Sequence, residues 1–134
     1  MLSWINVLPA GDFDRWLKEA GESASGTFAP DNEHARMAKK GRRLLLFKGC
    51  MGCHSTDGSE MTGPTMKWLW GKRTQVIKDG KEVEVVEDEA HITSSILEPG
   101  LDKVKGFEAV MPVPEEMTPQ DLKAIIEYLK DLHD

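Results

Sequence analysis

The sequence predicts an all-α domain of three helices, interrupted by one short β-hairpin and preceded by an arm. Three stretches beyond residue 31 open on a capping residue and continue with apolar residues at helical spacing. Only one segment of that region alternates apolar and charged residues, and it does so around an Asp-Gly pair. A small polar run with glycine and proline, ESASGTFAP, separates this region from the first twenty residues. The boundary therefore falls at residues 21–31, giving an arm and linker over 1–31 and one domain over 32–134.

In the arm, WINVLPAG is a strand-like run ending in a turn, and Asp12 caps a short helix presenting Phe13, Trp16 and Leu17. Asn32 is the expected cap of the first domain helix, which runs to about Lys48 with Ala35, Ala38, Leu45 and Leu46 facing inward. MTGPTMKWLWGKR is a Gly-Pro turn leading into a short apolar segment. TQVIKDGKEVEVVED carries the hairpin, over about 75–86, with Asp79-Gly80 at its tip. Asp88 caps a second helix that Pro99-Gly100 stops after Leu97. FEAVMPVPEEM, with two prolines, is extended loop. Thr118 caps the last helix, with Pro119 at its first position and Leu122, Ile125, Ile126, Leu129 and Leu132 as its apolar stripe.

Forty per cent apolar and thirty per cent charged residues describe a soluble globular chain, but seven per cent aromatics makes for a modest core. A buried prosthetic group would help to fill it. The net charge of −6 argues against nucleic acid as a partner. The charge is unevenly spread: −3 over residues 1–31, +6 over 32–73 and −9 over 74–134. Such a dipolar chain either wears solvated helix faces or orients itself as it docks with charged partners. No window approaches the roughly 18 apolar residues of a membrane span. The first eleven residues lack the basic start and apolar length of a signal peptide.

Both cysteines lie in GCMGCHSTDG, with a histidine directly after the second. A thioredoxin-like pair needs a strand before it and a βαβ setting, and here a helix precedes it. Structural zinc needs four ligands, and His34, His91 and His133 show no paired spacing. Covalent haem remains, because C-x-x-C-H is the c-type attachment motif. Two thiols add to neighbouring vinyl groups, and the next residue lies beneath the porphyrin with its imidazole within reach of the iron.

From about residue 32 onward the chain resembles a class I cytochrome c domain. GRRLLLFKGCMGCH, Gly63-Pro64, GFEAVMP around Met111 and DLKAIIEYLKDL occur in that family's order. The resemblance implies an all-α class I cytochrome c fold around one covalent haem c. It assigns the thioethers to Cys50 and Cys53 and the proximal ligand to His54. Pro64 matches the proline whose carbonyl orients that imidazole. Gly41 matches the small residue at the crossing of first and last helices, with Tyr128 opposite. Leu45 departs from an aromatic that the family often has there.

A shuttle iron needs a second strong axial ligand. Of seven methionines, Met111 lies in a proline-stiffened loop far enough after His54, and it matches the family's Met-Pro. Met117, next to the helix cap, is the alternative, and Met66 is expected to pack against the haem. A neutral thioether opposite imidazole favours ferrous iron. His91, in a capped helix, is expected to be solvated. For the propionate edge, where such domains use Trp, Tyr or Arg donors, Trp70 and Arg73 are the candidates, with core filling an equal explanation of the tryptophan.

The insertion QVIKDGKEVEVVEDEAHITSSILEPG followed by VKGFEAVMP is similar to the cytochrome c domain fused to subunit II of caa3-type cytochrome c oxidases. INVLPAGDFDRWL looks like the tail of that subunit's cupredoxin domain, without the Cys and His ligands of a copper site, so no copper is expected here. The resemblance implies a one-electron carrier, not itself an enzyme, excised from a parent that is a cytochrome c oxidase. Its donor would be a small cytochrome, another redox carrier or a quinol-oxidising complex, and its acceptor the copper domain of the same oxidase. The expected place is the outer, periplasmic face of the cytoplasmic membrane, with anchoring through a part upstream of residue 1, and the isolated piece is expected to be a monomer. Two alternatives stay open: a free-standing exported cytochrome, and a haem sensor or peroxidase-like enzyme with an open distal site.

Overall fold

A computed structural model of the chain describes residues 33–108 and 111–133, so the expected arm, linker and Asn32 cap lie outside the described residues. The elements run α1 (Glu33–Phe47), a single 3-10 turn (Cys50–Gly52), β1 (Arg73–Lys78), β2 (Lys81–Val86), α2 (Glu89–Leu97), β3 (Asp102–Val104) and α3 (Pro119–Lys130). Three helices and a small antiparallel sheet thus make up the described domain. None of its helices is long and apolar enough to cross a membrane.

The first and last helices form the frame. α1 buries Ala38, Gly41 and Leu45, a stripe spaced three and four residues apart, against Leu122, Ala124, Ile125, Ile126 and Leu129 of α3. A Cβ on Gly41 would stand 2.6 Å from the Ala124 carbonyl carbon, so only glycine lets the two backbones approach this closely. The crossing point is therefore Ala124–Ile125, one turn before the expected Tyr128, which packs against the edge of the core. This glycine also fixes the rotation of α1. Ala35 and Leu46, expected to face inward, turn outward, and Leu46 is half exposed.

Ion pairs hold the margins of the crossing. His34, at the start of α1, bonds through Nδ1 to Glu127 and through Nε2 to Asp131 (2.8 Å), while Lys40 meets Asp121 at 2.7 Å. These two carboxylates raise the His34 pKa, Glu127 first and Asp131 second. The Glu127 carboxyl is held below its ordinary range, by Lys130 first and His34 second. Thr118 and Asp121 close a reciprocal capping box at the start of α3, with Pro119 where a missing N–H costs nothing.

β1 and β2 pair from Arg73↔Val86 to Lys78↔Lys81, two residues earlier at the start than the sequence suggested. Asp79 and Gly80 both have positive φ (49° and 75°), as a two-residue turn of this hand requires. β3 adds to the other edge of β1, giving the order β2-β1-β3. It falls in a stretch given no element from the sequence, because three residues are too few to show alternation. Val76, central in β1, is 1% exposed, and Ile92 ties α2 to the core shared with Leu45, Met66, Ile125, Ile126 and Leu129.

Candidate functional site

The Cys-x-x-Cys-His segment sits on the turn that ends α1. Gly49, at φ 76°, takes the left-handed conformation that lets the chain leave the helix. The 3-10 turn then closes with Cys53 N–H and His54 N–H both donating to the Cys50 carbonyl (3.2 and 3.0 Å). Both cysteines are free thiols, Cys50 half-buried and Cys53 exposed, and their sulfurs mark the positions of the thioethers the motif implies. Burial pushes the Cys50 thiol pKa up, which keeps it protonated rather than a metal-seeking thiolate.

The following loop is stapled back onto this turn. Gly63 N–H donates to the Cys53 carbonyl and Met66 N–H to the Ser55 carbonyl, each at 2.8 Å. Buried Ser55 bonds through its hydroxyl to the Ser59 carbonyl at 2.6 Å. The stapling brings Gly63-Pro64 onto the histidine. His54 Nδ1 donates to the Pro64 carbonyl at 2.7 Å, which in the neutral ring leaves Nε2 as the nitrogen with a lone pair to offer a metal. A Cβ on Gly63 would come within 2.6 Å of the His54 ring, so the glycine forms a cradle that a side chain would fill.

His54, both cysteines and Met111 line one cavity of about 910 Å³. That volume lies at the upper end of the roughly 300–1,000 Å³ typical of ligand and cofactor sites. Its size and largely apolar lining, the paired thiols and the oriented imidazole together fit a covalently attached haem. Met66 and Met117 also line it, but Met66 is part of the hydrophobic core and Met117, half-buried, packs against it, whereas Met111 does neither. Lys48 reaches from the end of α1 to donate to the Glu115 carbonyl at 2.6 Å, clasping the loop that carries Met111.

On the sheet side the arrangement differs from what the sequence suggested. Trp70 does not line the cavity; it packs on the core beneath Lys130, whose Nζ lies 4.6 Å from the ring centroid. Arg73 lines the rim, yet its guanidinium is paired with Glu84 at 3.0 Å. Sequence reading missed Thr74 and Glu87. Thr74, also lining the cavity, has a buried hydroxyl with no hydrogen-bond partner among the described residues, an orphan donor that suits a cofactor carboxylate. Glu87 is a buried acid on the same wall. Neither carries a local motif, so only the fold could reveal them. His91, expected to be solvated, is instead half-buried, with its ring between the Glu87 and Asp102 carboxylates.

A family profile described as Cytochrome c matches residues 38–133 of the chain. No curated protein matches it.

Proposed function

Because this chain belongs to the cytochrome c family, whose members carry single electrons on a covalently attached haem c, we propose that it relays electrons to a haem-copper oxygen reductase. The observation that carries the electron-transfer reading is His54, its Nδ1 tied to Pro64 and its Nε2 left for metal at the wall of a cavity flanked by Cys50 and Cys53. Bound there, haem c supplies a one-electron couple.

The chain's own residues then do three things. Cys50 and Cys53 would hold the group as thioethers, so that it would not dissociate between transfers. His54 and Met111 would supply its two protein ligands, which would disfavour binding of oxygen or a substrate. The Pro64 carbonyl strengthens the imidazole as a ligand by drawing on its Nδ1 proton. A thioether donor would favour the ferrous state of such a group.

The finer reading rests on the insertion over 75–100 and the arm sequence, which resemble the cytochrome domain of caa3-type oxidase subunit II. On that reading the domain itself catalyses nothing and the parent is a cytochrome c oxidase. The donor is a small cytochrome, another redox carrier or a quinol-oxidising complex, and the acceptor is the parent's copper domain. The place of work is the outer face of the cytoplasmic membrane. A tether like ESASGTFAP would hold the haem near its acceptor at an effective concentration of ~mM.

Two measurements test this. Intact mass must exceed the bare polypeptide by one haem, and colour must stay with the protein on acid-acetone extraction. The reduced domain, added to a subunit II oxidase stripped of its cytochrome domain, should restore oxygen consumption. Haem attachment without restoration would favour a free-standing carrier, and ready carbon monoxide binding would favour an open-site sensor or peroxidase.

A further inference from the structure

The loop that carries Met111 has little regular structure to hold it. From Met111 to Met117 the chain forms neither helix nor strand, and Pro112 and Pro114 have no N–H to give. Among the described residues, no main-chain group of this stretch hydrogen-bonds to another main-chain group. Pro112, Val113, Glu115 and Glu116 are exposed, so burial does little to fix them. The far end is fastened by Met117, which packs against the core. The middle is fastened by Lys48, whose ammonium donates to the Glu115 carbonyl at 2.6 Å.

Lys48 is itself firmly placed. Its main-chain N–H donates to the Leu44 carbonyl at 2.8 Å, continuing the bonding of α1, and it stands two residues before Cys50. One side chain thus joins the turn that carries both cysteines to the loop that carries the methionine, and both ends of the bond line the cavity. The residue after the clasp is strained. Glu116 has φ 52°, in the left-handed region that a glutamate rarely takes. Such a backbone persists only where its surroundings impose it. The Glu115 carbonyl and the Glu116 N–H belong to one planar peptide unit, so a bond that fixes the carbonyl also fixes one side of that φ rotation. The packing of Met117 restrains the other side.

We propose that Lys48 is a positioning residue for Met111. By holding the Glu115–Glu116 peptide in its strained turn, it keeps Met111 at the cavity wall, where the thioether would ligate the haem. Without that bond Glu116 relaxes to negative φ, the loop loosens, and Met111 gives up its place to a small neutral ligand. How tightly the site is closed is therefore set by a side chain on the cysteine side of the cavity and not by Met111 alone. The inference rests on the reading of Met111 as a ligand, and not on which protein accepts the electron.

The test is displacement of Met111 by added imidazole in the ferric, haem-loaded full chain, read from loss of the weak sulfur-to-iron charge-transfer band. Lys48→Met keeps the aliphatic stem and removes the donor. It should lower the imidazole concentration at half-displacement by about tenfold, the low end for a hydrogen bond to a charged group at a half-solvated site. Glu116→Gly should raise that concentration about threefold, the relief of strain less the freedom glycine gains when the loop opens. Wherever Lys48→Met folds, it decides: a lowered midpoint assigns Lys48 this role. An unchanged one overturns the proposal, even if the variant is easier to denature, because a merely structural side chain would do only that. Should Lys48→Met fail to fold, Glu116→Gly decides alone, a raised midpoint carrying the proposal and an unchanged or lowered one overturning it. A band that survives in Met111→Ala overturns the ligand assignment beneath the proposal, and absence of haem by intact mass overturns the functional reading beneath both.

Discussion

Gly63 lies against the face of the His54 imidazole so closely that no other residue fits there, and the next residue accepts the ring's Nδ1 proton. Orientation and tautomer of the imidazole are thus set by two consecutive residues of one turn. Gly63→Ala should displace the ring. We expect haem to remain covalently attached through Cys50 and Cys53, while the low-spin visible spectrum weakens and the fold loses about 1–3 kcal/mol to overpacking. Absorbance spectra and chemical denaturation of the variant check both.

Met111 and Met117 both line the cavity, so the axial assignment can be tested by exchange. Met111→Ala should abolish the weak sulfur-to-iron charge-transfer band of the ferric protein. Met117→Ala should keep the band and lose about 0.5–3 kcal/mol of stability, because the side chain is only half-buried against the core. The opposite pattern in the absorbance spectra would move the ligand to Met117.

At the helix crossing, Gly41→Ala sets a methyl group into the Ala124 carbonyl. Backbone cannot yield as a side-chain tip can, so the helices must part. We expect destabilisation of at least about 1–3 kcal/mol, the usual overpacking range. Ala substitution at the exposed Lys123 should stay within about 0.5 kcal/mol. Denaturant midpoints compare the two.

The His34 clamp makes stability depend on pH. Because Glu127 and Asp131 raise its folded pKa, its contribution is fully present below the unfolded value near 6.5 and fades as pH rises through the folded one. Glu127 runs the other way: its pKa is lowered, so its contribution is present above the unfolded value near 4.5 and fades as acid protonates it. Between these limits the clamp is strongest. His34→Gln should cost about 0.2–1 kcal/mol near pH 5.5, since the site is largely solvated, and close to nothing near pH 9. Denaturation midpoints at the two pH values decide it.

Local chemistry was legible in the sequence, and long-range chemistry was not. Asp88, Thr118, Asp121 and the Asp79-Gly80 turn act within four residues, so their motifs predicted caps and hairpin that the structure contains. The Cys50–His54 spacing is equally local, and the structure places those residues on one tight turn at the cavity wall. By contrast, β3 exists because Val104 pairs with Val76, far away in sequence. The Glu87–His91–Asp102 juxtaposition depends on that same pairing, which brings Asp102 beneath α2. The facing of Leu46 hinged on Gly41 and its partner Ala124, a contact that helical periodicity alone leaves free to rotate.

The His34–Asp131 hydrogen bond has a topological consequence. It sets the entrance of the haem-binding fold beside its exit, although 97 positions separate the two residues. A fold with neighbouring ends can be joined end to end and reopened elsewhere without unthreading anything. Linking residue 133 to residue 33 by a short Gly-Ser bridge and cutting between Asp79 and Gly80 should give a permuted chain with the same packing. For the same reason the domain can be spliced into a loop of an unrelated host, hanging from it as a single-point graft.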